Sequence, residues 1–114
     1  MKIEYQPGEY DKLVGNKVPN LIKKEGNIPV THIASDTDYW FKLKGKLIEG
    51  SDELFSSNGV IEMTERMAQI SQILKAIAEF ADIDDRQIES MRELIEFRQG
   101  CFSKRIILDR IDKS

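Results

Sequence analysis

The chain has 114 residues, enough for one domain and too few for two of ordinary size. Hydrophobic residues make up 40% and charged residues 32%, the balance of a folded globular protein and not of a disordered tail. Seventeen Lys plus Arg against twenty Asp plus Glu give a net charge of −3, which argues against a general nucleic-acid-binding surface. A single cysteine, Cys101, excludes a disulfide within the chain, and with one histidine, His32, it also excludes the common zinc modules. Any metal must then be held by carboxylates, which suits magnesium or manganese.

Met1–Tyr10 lacks the apolar run of a targeting segment, and no stretch approaches the ~18 apolar residues that span a bilayer. The expectation is a cytoplasmic protein without membrane contact. Met1–Val18 reads as mostly irregular. Pro19 suits the first turn of a short helix through Leu21 and Ile22, closed by Gly26, with Lys23 and Lys24 at its negative end. Asn27–Ser35 reads as extended or looped. Ser35 is a good N-cap for a second helix, with Asp36 and Asp38 in its first turn. Trp40, Leu43, Leu47 and Leu54 fall at helical spacing. Gly45 and Gly50 interrupt that pattern, each at a cost of roughly 1 kcal/mol relative to Ala, and predict a bend or an end near Gly50.

Ser56–Gly59 is a turn signal. The strongest periodicity follows over Val60–Ala81, where Met63, Met67, Ile70, Leu74, Ile77 and Ala81 form a stripe widened by Ile73, Ala76 and Phe80. This stripe is expected to be core. Asp84 or Asp85 can cap a fourth helix whose buried face carries Ile88, Met91, Leu94 and Ile95, and Gly100 ends it. In the tail, Ile106, Ile107 and Leu108 are expected to pack on the fold, and Cys101 reads as a small packed residue. His32 reads as an ordinary loop residue. The fold class is all-α: one domain over 1–114, a four-helix bundle with an irregular N-terminal segment and a short tail, burying further surface in a homodimer.

Glu49 and Glu53 stand four apart and share one helix face, with Asp52 just off that line. Glu62, Glu65, Arg66, Gln69 and Gln72 lie along the third helix, the last three at spacings of three beside the apolar stripe. Five segments in order resemble one family. They are Tyr10–Pro19 (YDKLVGNKVP), Leu21–Pro29 (LIKKEGNIP), Lys46–Leu54 (KLIEGSDEL), Thr64–Ile70 (TERMAQI) and Gln99–Leu108 (QGCFSKRIIL). The family is the all-α nucleotide pyrophosphohydrolases, the MazG-like and phosphoribosyl-ATP pyrophosphohydrolase-like proteins. In them two acidic motifs hold magnesium, which activates water against the phosphate chain of a nucleotide.

The resemblance assigns Glu49 and Glu53 to the first motif as residual metal ligands. It places Gly50 at that motif's middle acid, Arg66 and Gln69 at the two acids of the second motif, and Gln72 at a further acid. Gly15, Asn16 and Gln99 stand at other charged family positions. Lys12, Lys17, Lys104 and Arg105 match basic positions and are phosphate-binding candidates. Arg66 repels a divalent cation, and it can pair with Glu49 or Glu53 and replace the metal's charge. The reading that follows is a divergent family member, catalytically impaired, that needs no cofactor and binds a nucleotide or a partner protein. Two alternatives stand beside it. One is an active enzyme that uses magnesium on Glu49, Glu53, Glu62 or Glu65 with Asp52; the other is a helical protein-interaction module.

Overall fold

A computed structural model describes residues 5–114; the irregular reading of Met1–Val18 falls partly on residues 1–4, outside the described residues. Four helices and no strand occur among the described residues: α1 (Val18–Lys24), α2 (Asp36–Phe55), α3 (Val60–Phe80) and α4 (Asp85–Gln99). The fold class is therefore all-α. The chain divides into two compact units, 1–77 and 78–114, with the boundary inside α3.

Local signals place most helix ends. Pro19 sits in the first turn of α1, where its missing N–H costs nothing, and Lys23 and Lys24 occupy the last turn. Ser35 Oγ accepts the Asp38 N–H at 3.2 Å and opens α2. In the second unit, Asp84 and Gln87 form a reciprocal capping box: the Asp84 carboxylate accepts the Gln87 N–H and Gln87 Oε1 accepts the Asp84 N–H, each at 2.9 Å. Gly100, at φ 79°, closes α4 through its N–H to Glu96.

Within the first unit, α2 and α3 form an antiparallel helical hairpin. Position 50 of α2 meets positions 70 and 73 of α3, whereas position 53 meets position 66, so partners recede along α3 as α2 advances. Contrary to the expected end near Gly50, α2 continues past it. It runs on to Phe55, and Gly50 is buried. The reason is packing. A Cβ at position 50 would lie 3.3 Å from Ile70 Cγ1 and 3.7 Å from Ile73 Cδ1. The hairpin closes over the missing side chain, and that contact offsets the propensity cost. Among the described residues of this unit, Leu43, 2% exposed, and Val18 are the buried apolar side chains.

Three expectations about burial are corrected. The face of α3 is rotated: Arg66, Ile70, Ile73 and Ile77 are partly covered, while Met63, Met67 and Leu74 are exposed. The apolar stripe is wide enough to offer two faces, and Gly50 selects the one with Ile70 and Ile73. On α4 no residue is buried, and Ile88, Met91, Leu94 and Ile95 are all exposed. Ile106, Ile107 and Leu108 do not pack on the chain, and Cys101 is exposed as well.

The close approach at Gly50 gives a direct expectation. Gly50→Val adds a branched side chain where even a Cβ is tight, and it destabilises the fold by about 1–3 kcal/mol despite improved propensity. Chemical denaturation of the variant against the wild type measures this.

Candidate functional site

The hairpin places Glu53 opposite Arg66. Arg66 Nη1 lies 2.8 Å from Glu53 Oε2, and the same nitrogen donates to Gln69 Oε1 at 3.2 Å. Arg66 and Glu53 are about one-third exposed, so their net contribution is of the surface-pair size, about 0–1 kcal/mol. Arg66 Nε is buried without a hydrogen-bond partner, a cost set against that gain.

Glu49 takes a different cation. Lys12 Nζ donates to Glu49 Oε1 at 3.3 Å across 37 residues of sequence. Lys12 lies on the irregular segment before α1, which is tied to α2 a second time. Lys42 Nζ donates to the Asp11 carbonyl at 2.9 Å and to its carboxylate at 3.0 Å. Asp11 sits at φ 47°, a left-handed conformation that Asp tolerates better than most residues. The hydrogen bond from Lys42, reinforced by its charge, holds the Asp11 carboxyl below the usual carboxylate range. Between this segment and α2 lies an open cleft of about 300 Å³, lined by Asp11, Lys12 and Leu13 and by Asp38, Phe41, Lys42, Gly45, Lys46 and Glu49 of α2.

The structure therefore brings together five of the residues singled out from the sequence, in two groups: Glu53 with Arg66 and Gln69, and Glu49 with Lys12. Gln72 is exposed and takes no part. Lys17 is exposed at the start of α1, and Lys104 and Arg105 belong to the 78–114 unit. Glu62 accepts the Asn58 N–H at 3.4 Å, which ties it to the turn before α3. Asp11, Phe41, Lys42 and Lys46 escaped the sequence reading. The signal was there, since 38, 41, 42, 45, 46 and 49 recur at helical spacing, but they mark the face opposite the apolar residues, where charge is ordinarily solvated.

The donor set does not suit a divalent cation. Among the described residues no three Asp, Glu, His or Cys side chains come together in a group that could hold one. Arg66 stands within hydrogen-bond reach of Glu53, and Glu49 bonds to an ammonium. What the arrangement can do is balance the charge of two carboxylates and present cations to an anion. Compared with family models, curated proteins and solved structures, the chain matches none.

Two expectations follow. A double-mutant cycle with Glu53→Gln and Arg66→Met yields a coupling energy of about 0.2–1 kcal/mol that shrinks with added salt. The second concerns pH. Because the folded-state value of Asp11 is lowered, its bond to Lys42 contributes stability above the ordinary carboxylate range and loses it as pH falls through the lowered value. Carboxyl carbon shifts followed by NMR will show Asp11 titrating below the usual Asp range in the wild type and returning to it in Lys42→Ala.

Proposed function

We propose that the chain is a divergent relative of the MazG-like nucleotide pyrophosphohydrolases that has lost hydrolysis and acts by binding a nucleotide or a partner protein. The observation that carries this reading is that each remaining acid of the first motif has its own cation, Lys12 on Glu49 and Arg66 on Glu53. Two monovalent side chains stand in for the charge of one divalent ion. A side chain orients and attracts phosphates, but it does not lower the pKa of a bound water as a metal does. Gly50 supports the reading as well. An acid at that position would enter the contact with Ile70 and Ile73 and bury a charge against apolar carbon.

A homodimer in the cytoplasm completes the proposal. Ile48, Met63, Met67 and Leu74 of the hairpin are exposed apolar residues that a second copy would cover. The same exposure favours a second reading, a helical module that binds another protein through these residues. Among the described residues no helix is long and apolar enough to cross a membrane.

Restoring acids tests the main reading. The wild type is expected to release no pyrophosphate from nucleoside triphosphates with magnesium and to show no magnesium-dependent thermal shift. Arg66→Glu combined with Gln69→Asp creates a carboxylate cluster with Glu53. At magnesium about ten times its dissociation constant, that variant gains about 1.4 kcal/mol of stability. Magnesium-dependent pyrophosphate release by the wild type at about 1 s⁻¹ or faster would establish an active enzyme instead.

A further inference from the structure

Gly45 is unexplained by packing. It stands inside the 20-residue helix α2, where glycine costs roughly 1 kcal/mol relative to alanine. At Gly50 the neighbouring helix demands the missing side chain, but a Cβ built at Gly45 meets nothing within 4 Å. Its φ is not in the left-handed region either. Neither the backbone nor the core asks for glycine there. What Gly45 does is line the cleft between the 11–13 segment and α2.

The cleft has a polarity. Asp38, Phe41, Gly45, Lys46 and Glu49 follow one another along one face of α2. Asp38 and Lys46 are eight residues apart, about 12 Å along the axis. Asp11 and Lys42 neutralise each other, as do Glu49 and Lys12. Asp38 and Lys46 form no ion pair among the described residues. One end of the cleft therefore offers an acceptor for hydroxyl or amino groups, and the other offers an unneutralised ammonium. The exposed ring of Phe41 and the bare backbone of Gly45 lie between them. The Lys12–Glu49 pair, about half exposed on each side, adjoins the cationic end, where Lys12 can turn from Glu49 to a stronger anion. A volume near 300 Å³ is at the lower end of small-molecule sites, which limits the ligand to a compact one.

We propose that this cleft binds a compact phosphomonoester: its phosphate on Lys46 and Lys12, its body over Phe41 and Gly45, and a hydroxyl or amino group at its far end on Asp38. A nucleoside monophosphate and a sugar phosphate share this chemistry, and the test separates them. The proposal stands on the cleft alone and holds whether or not the chain descends from pyrophosphohydrolases.

The experiment is calorimetric titration of the full chain, without magnesium, with adenosine monophosphate, ribose 5-phosphate and adenosine. Lys46→Gln and Gly45→Leu are run beside the wild type, with thermal melting of each. At least one phosphomonoester is expected to bind, and adenosine at least tenfold more weakly than adenosine monophosphate. Ribose 5-phosphate binding as well as the nucleotide assigns the cleft to sugar phosphates; tighter nucleotide binding assigns it to nucleotides. Lys46→Gln weakens binding at least tenfold. Gly45→Leu abolishes it while raising the melting temperature, because the helix gains a better former in open space. Lys75→Gln, an exposed change on α3 outside the cleft, shifts affinity less than threefold. The proposal is overturned if neither phosphomonoester binds at millimolar concentration, if adenosine binds as well as its monophosphate, or if both cleft variants bind like the wild type. In that last case nucleotide binding elsewhere on the chain, and with it the proposed function, survives. Magnesium-dependent hydrolysis by the wild type would sink the proposed function and leave the cleft untouched.

Discussion

The missing side chain at position 50 sets the distance between α2 and α3, and much of the first unit depends on it. A Cβ there would already press on Ile70, so the helices meet through backbone on one side and isoleucine on the other. That contact fixes which face of α3 turns inward. It also fixes the register that brings Glu53 level with Arg66, three residues along α2 from Gly50 and four along α3 from Ile70. The ion pair is thus a product of packing. Its own net energy is small because both partners touch solvent, so it is held in place by the hairpin rather than holding the hairpin together.

Charge in this unit is arranged by local neutralisation. A net charge of −3 says little about it, since Asp11, Glu49 and Glu53 each meet a cation of their own. Lys42 also spends two hydrogen bonds on Asp11, one to the backbone and one to the carboxylate, and so pins a residue in a left-handed conformation. The irregular 11–13 segment becomes a defined wall against α2 without belonging to any sheet or helix. Two ties from lysine to carboxylate, at positions 11 and 49, hold it there.

The helices were legible in the sequence because their ends are marked by local chemistry. Ser35, Pro19, the Asp84–Gln87 pair and Gly100 each act on backbone within one turn, and such signals survive without knowledge of the rest of the fold. The faces were less legible. Met63, Met67 and Leu74 are as apolar as Ile70, Ile73 and Ile77, and only the approach of α2 at Gly50 separates them. Reading Gly50 as a local weakness missed its use, since propensity weighs one helix and packing weighs two. The same holds for the site. The nearness of Glu49 and Glu53 was readable from a spacing of four. That Glu49 is taken by Lys12 across 37 residues was not. The apolar tail residues Ile106–Leu108 and the exposed face of α4 show the converse: apolar spacing states what can be buried, and a partner surface decides what is.

The contact at Gly50 also constrains the order in which this sequence can change. A side chain entering position 50 meets Ile70 at a distance where the isoleucine must give by a few tenths of an ångström, and shortening Ile70 without filling position 50 leaves a gap between the helices. Position 50 and Ile70 are therefore coupled, and a change at one alters the cost of a change at the other. Position 45, one and a half turns earlier on the same helix, carries no such coupling, because nothing stands where its side chain would be. Two glycines of one helix therefore differ in epistasis: one is locked by its neighbours, and the other is free of them.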